Sequence, residues 1–373
     1  MVGFTRRYMA LVRKETRQMV RDRSNLGVGL LLPVTLILLF GYGLSFDVKN
    51  APIAVVMADQ SPTARQFYSA LEGSTYLAPK WVSSMAEAET LLGRGEADAI
   101  VRLPVDFTRQ LAAGQAQVQL LVNGIDATLA ATLEGYVNGA IASVFQQQAD
   151  RVGGKSSAGG VTLVQRIWFN ETGDSTWYLV PGLIALVMTL IGAFLTSLLI
   201  AREWERGTFE ALFVTPVRPL EMVLAKITPF MVIGIIDLVL CLLAAKFLFQ
   251  VPVRGSLLVI VIASLLYLLV SLQLGLLISG VTRNQFQASQ VAMLLSFLPA
   301  LMLSGFIFDL RNVPLVIQVV SQILPATHYM ALIKTQFLAG NDWLMALQKC
   351  AILLLQLLLM IIATRRTLLK KLD

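Results

Sequence analysis

Six stretches of this chain are long, apolar and nearly free of charge: 26–46, 176–201, 227–249, 256–282, 284–308 and 343–364. A bilayer-crossing helix needs about 20 mostly apolar residues, so each stretch predicts a transmembrane span. The third is interrupted as far as Ala245 only by Asp237, the apolar part of the fifth starts near Val291, and Lys349 lies near one end of the sixth. The first span follows a 25-residue leader, is longer than the apolar region of a signal peptide, and precedes no small-x-small cleavage site. It is therefore read as a retained helix. The stretch 313–340 differs. Its apolar pieces, Leu315–Leu324 and Tyr329–Leu338, are split by Pro325 and are each too short to span. They predict re-entrant or interfacial helices, a geometry that survives at membrane depth only when packed in protein or lining a cavity.

Between the first two spans the period changes. Ile53–Ala58, Leu77–Val82, Ala99–Leu103 and Val118–Val122 read as strands, and Pro62–Glu72, Met85–Leu92 and Val105–Ala112 as helices. Asp126 is placed to cap a long helix reaching about Ala149. Strands alternating with helices predict a small α/β domain within 47–175, with 153–160 (GGKSSAGG) as a flexible linker. At the other end, Phe4, Tyr8, Leu11, Val12 and Met19 recur at helical spacing among arginines and lysines. Residues 1–25 thus predict a basic amphipathic helix in the headgroup plane, able also to touch a cytoplasmic partner.

Composition fits this reading. Of 373 residues, 56% are hydrophobic and 14% charged, against about 45–50% and about 25% in an ordinary globular chain. Two cysteines, both within spans, exclude a disulfide scaffold, and a single histidine, His328, leaves no basis for a His-based metal site or triad. The formal net charge is +7, but the excess lies beside apolar runs and not in one patch, which argues against nucleic acid. Seven Lys/Arg precede the first span, Arg202, Arg206, Arg218 and Lys226 lie between the second and third, and Arg365, Arg366, Lys370 and Lys371 follow the sixth. By the positive-inside rule these segments are cytoplasmic, both termini included. The segment 47–175, with nine basic and thirteen acidic residues, then faces outward.

One nucleotide motif is only apparent. Ala149-x-x-x-x-Gly154-Lys155-Ser156 fits a relaxed phosphate-loop pattern. That chemistry needs a strand before the loop and a helix after it. Here a glutamine-rich helix precedes and Ser-Ser-Ala-Gly-Gly follows, so the chain is not expected to hydrolyse ATP.

The segment REWERGTFEALFVTPVRPLEMVLAK (202–226) crowds charges of both signs among Trp204, Phe209, Leu212 and Phe213. Pro219, followed by Glu221, predicts a new short helix at the membrane surface, and Gly207 a backbone geometry closed to other residues. The pattern suits a docking element better than a solvated loop. The segment resembles the hallmark of bacterial ABC-2 type permeases. KETRQMVRDR (14–23), PGLIALVMTLIGAFLTSLLIAREWERGT (181–208), VTRNQFQASQV (281–291) and LSGFIFDLRNVP (303–314) are likewise similar to the drug-efflux branch of that family, its Ybh-type members.

The resemblance implies an α-helical permease of an ATP-driven exporter in a bacterial inner membrane, moving drugs or other amphipathic small molecules outward. It implies a second permease subunit, identical or homologous, and a cytoplasmic ABC ATPase dimer that binds the ATP and Mg. A periplasmic adaptor and an outer-membrane channel would be further partners. Arg202, Glu203, Trp204, Glu205, Arg206, Gly207, Thr208 and Glu210 would couple to the ATPase, and no catalytic residue, cofactor or metal is expected in this chain. Asp237, His328 and Lys334 are candidates for the translocation path. A buried Asp237 could equally hold helices together, and His328 could simply be packed. An exporter of a lipid or glycan is the alternative within the family. A secondary transporter would need paired intramembrane ionisable groups or inverted repeats, and a sensor would need a cytoplasmic signalling domain.

Overall fold

The computed structural model describes residues 2–43, 50–74, 76–112, 116–123, 127–151, 174–209, 217–307, 310 and 313–368. Asp126, the 153–160 stretch with Lys155, Glu210, Leu212, Phe213 and the tail beyond 368 lie outside the described residues. The chain forms two compact units, Phe46–Arg166 and the remainder, Met1–Ser45 with Ile167–Asp373.

The larger unit is helical. It holds α1 (Val2–Arg21), α2 (Arg23–Gly43) and, after the smaller unit, α7 (Ser175–Glu205). There follow α8 (Pro219–Leu248), α9 (Leu257–Thr282), α10 (Gln285–Leu303), α11 (Leu315–Ile323), α12 (Pro325–Ala339) and α13 (Trp343–Thr367). Among the described residues six helices are long and apolar enough to cross a membrane, or seven if α11 and α12, which meet at 90°, count as one. Helix α7 is apolar all round and lies at the centre, whereas α2 and α13 are mostly uncovered. Helix α9 packs closely on α7. A Cβ on Gly275 would sit 2.2 Å from the Ala193 carbonyl oxygen, and one on Gly192 2.5 Å from the Ser271 Cβ. Only hydrogen fits at these two crossings. Buried hydroxyl and amide groups link the helices: Ser279 Oγ accepts from the amides of Ile200 and Ala201, and Gln273 donates to Thr364 at 2.6 Å.

Two boundaries depart from the sequence reading. The helix that Pro219 opens is not short: it runs without interruption into the third span. Pro219 occupies the first turn, where no amide donor is needed, and Glu221 accepts from the Arg218 amide at 2.9 Å. Pro229 lies within this helix and does not end it. The second span likewise continues through Glu205 before Gly207 ends it. The charged residues of the segment thus belong largely to the ends of two long helices.

The smaller unit is a four-stranded sheet of β1 (Ala51–Met57), β2 (Leu77–Val82), β3 (Ala99–Leu103) and β4 (Gln119–Val122), in the order β2-β1-β3-β4. β1 is parallel to β2 and β3, and β4 is antiparallel to β3. Helices α3 (Pro62–Glu72), α4 (Met85–Gly93), α5 (Phe107–Ala112) and α6 (Ala127–Arg151) complete it. Central β1 is buried along both faces, as its unbroken apolar run requires. Phe67, Leu71, Phe107, Leu133 and Val137 pack on one side, Val82 and Ala88 on the other. Ser61 and Ser84 cap α3 and α4. Asp59 accepts from the Thr108 hydroxyl and the amides of Ser61 and Thr108, which holds its carboxyl down at about 2.

Candidate functional site

The amphipathic stripe of α1 carries one anomaly. Glu15 falls within it and is buried. A lone carboxylate there would be costly, and three other ionic side chains converge on it. Lys14 Nζ lies 2.9 Å from Glu15 Oε1 and 2.6 Å from Glu203 Oε1. Lys226 Nζ lies 3.2 Å from Glu15 Oε1 and 2.7 Å from Glu203 Oε2, the last an ion pair by distance without hydrogen-bond alignment. Two lysines and two glutamates thus form a neutral square joining α1, α7 and α8. Glu15, Glu203 and Lys226 are closed off from solvent, while Lys14 is 42% exposed. Burial alone would lower the Lys14 pKa, but the carboxylates of Glu15 and Glu203 outweigh it and hold it above its ordinary 10.5.

Further pairs surround the square. Arg7 binds Glu221 at 2.9 Å, and the Tyr8 and Thr228 hydroxyls meet at 2.7 Å, so α1 is pinned along α8. Arg202 pairs with Asp22 and also donates to Gln285. Glu205 accepts from the Gln285 amide at 2.8 Å and from its side chain, capping the start of α10. The Arg283 guanidinium lies 4.4 Å from the Trp204 ring centroid, and Trp204 stacks on Phe209. Gly207 has φ +65°, the left-handed region that ends a helix sharply. Thr208 donates to the Glu203 carbonyl oxygen.

The residues singled out at 202–208 therefore gather at one end of the helical unit, in two kinds of place. Glu203 and Trp204 face inward, and Arg206, Gly207 and Thr208 are exposed. Lys14, Glu15 and Lys226 were not singled out by the sequence reading. The signal was there: an acid at the 8, 11, 12, 15, 19 spacing of an otherwise basic helix demands a cationic partner.

Residues 26–366 match the family described as "ABC-2 family transporter protein". The chain belongs to the ABC-2 family. It is 39% identical over 338 residues to the probable multidrug ABC transporter permease YbhS of Escherichia coli (strain K12), covering 90% of this chain and 89% of that protein. It is 28% identical to the probable multidrug ABC transporter permease YbhR of the same strain, over 89% and 90%. To the inner membrane transport permease YhhJ it is 27% identical, over 77% and 76%. This ABC-2 chain is a permease, a transport component and not an enzyme.

The three translocation-path candidates of this ABC-2 permease lie on α8 and α12. Asp237, on α8, is fully buried and neither of its oxygens has a hydrogen-bond partner among the described residues. His328, near the α11–α12 bend, donates through Nε2 to the Gln322 carbonyl oxygen at 2.8 Å. Lys334 donates to the Gly305 carbonyl oxygen at 2.8 Å and lies 3.5 Å from the Tyr178 ring centroid.

Proposed function

We propose that this permease exports drug-like amphipathic small molecules across a bacterial inner membrane, as one of two permease halves above a cytoplasmic ABC ATPase dimer that binds the ATP and Mg. The observation that carries the reading is the charge square at the end of α7. It ties the 202–208 turn to α1 and α8, so a push on that turn moves three helices together. The names of YbhS and YbhR supply the substrate class, and that of YhhJ the membrane. The Lys/Arg distribution supports cytoplasmic termini, a cytoplasmic 202–226 segment and an outward 47–175 domain. The 90° bend between α11 and α12 supports re-entrant helices in 313–340. An adaptor and an outer-membrane channel would complete the route out of the cell.

Within the coupling segment, exposed Arg206 and Thr208 meet the ATPase, and Gly207 sets their turn. Glu203 acts through the square, and Glu205 through its cap on α10. Arg206→Glu should abolish ATP-driven efflux of a cationic dye from inverted vesicles and cut ATPase co-purification at least tenfold, with membrane insertion unchanged. Wild-type efflux and association in this variant would remove the coupling role. Wild-type association with no dye transport by the unmodified complex would instead leave the coupling and overturn the drug substrate.

A further inference from the structure

Beside the charge square the helical unit carries a cleft of about 940 Å³, walled by the end of α1, the α1–α2 junction and the end of α7. Among the described residues six cationic and two acidic side chains line it, a net of four positive charges. Its acids are already engaged. Glu203 is held by Lys14 and Lys226, and Asp22 by Arg202. That leaves Arg17, Arg21, Arg23 and Arg206, all exposed and none paired with a carboxylate among the described residues. A plain basic flank would be convex and free to fluctuate. Here the Lys14–Glu203 and Asp22–Arg202 pairs join the walls, and the four arginines line the hollow between them.

The depth of the cleft is set by the helices that form it. Arg21 and Arg23 lie within about one turn of Leu26, where the apolar span begins, and Arg202 and Arg206 stand at the end of Ser175–Glu205. The hollow is therefore at the boundary between hydrocarbon and water. A guanidinium fork matches two phosphate oxygens at once, and a phosphodiester at this depth belongs to a lipid.

We propose that this cleft binds the phosphate headgroup of an anionic phospholipid. The site is distinct from the translocation path and does not depend on the substrate or on which side the termini face. A bound headgroup neutralises the uncompensated arginines and ties α1 to α7 from outside, as the square does from within.

The test uses the full chain purified in mild detergent, with phosphatidylglycerol as probe and phosphatidylethanolamine as the zwitterionic control. Native mass spectrometry should show phosphatidylglycerol retained at least tenfold over phosphatidylethanolamine. Each juxtamembrane cation contributes enough attraction that Arg17→Gln/Arg21→Gln/Arg23→Gln together should weaken retention about a hundredfold. The corresponding triple lysine variant should fall between the two, because it keeps charge and loses the fork. If the triple glutamine variant unfolds, Arg21→Gln alone is compared in phosphatidylcholine nanodiscs, where added phosphatidylglycerol should raise the melting temperature of wild type and not of the variant. Equal retention of both lipids by wild type, or equal phosphatidylglycerol retention by wild type and variants, would overturn the proposal. Full displacement of the lipid by millimolar inorganic phosphate would show that the cleft reads a free anion. Loss of ATPase co-purification with lipid retention unchanged would assign it to an acidic protein surface.

Discussion

At the residue scale the square is the feature with the largest stake. Removing one member of a buried ionic group strands its partners and typically costs about 3–5 kcal/mol. Lys226→Ala leaves Glu15 and Glu203 without their enclosed cation, so it should lower stability by about that amount, measured by thermal unfolding in detergent. Glu203→Lys with Lys226→Glu should not recover the loss, since the exchange sets a second cation against Lys14 and a second anion against Glu15. Lys14 adds a pH signature. Its folded pKa is raised, so its contribution is full below the ordinary 10.5 and disappears as pH climbs through the higher folded value. The melting temperature of wild type should fall across that range, and Lys14→Met should remove this alkaline step. None of these residues announced itself by composition. A charge on a basic helix reads as solvated until a partner more than 180 positions away is known, and linear spacing does not carry that distance. Glu15 was legible only as a misfit, and Lys226 not at all.

At the element scale the chain was more legible. Uninterrupted apolar runs fix where spans lie, and the alternation from Ile53 to Val122 gives strands and helices close to those observed, because each period is local. Ends were less so. Pro219 and Gly207 were seen as punctuation, but whether a helix stops after its first turn depends on what it packs against, and α8 continues because α1 covers it. The α7–α9 crossing was also out of reach, since Gly192 and Gly275 look like any glycines in an apolar run. Their tightness can be checked. A side chain at Gly275 meets the Ala193 backbone at 2.2 Å, and overpacking of this kind costs about 1–3 kcal/mol, more where backbone must shift. Gly275→Leu should therefore reduce the folded yield in membranes, while Gly43→Leu, with nothing near its Cβ, should not. Gel filtration of both proteins with a fluorescent fusion reads the difference.

At the scale of the whole molecule, the family follows from the match over 26–366, and the sequence had already shown it through segments in a fixed order. Orientation rests on charge. In a background lacking Cys241 and Cys350, a cysteine at position 90 should react with an impermeant thiol reagent from outside, and one at position 206 only from the cytoplasmic side. The reverse pattern would invert the topology. One consequence follows from the square. Two lysines and two glutamates sum to no charge, so shifting the group across the membrane's electric field does no net work, where a single unpaired charge would exchange about 2.3 kcal/mol per 100 mV. The square itself therefore adds no voltage dependence to a movement of this end, and any such dependence falls to the uncompensated arginines of the neighbouring cleft.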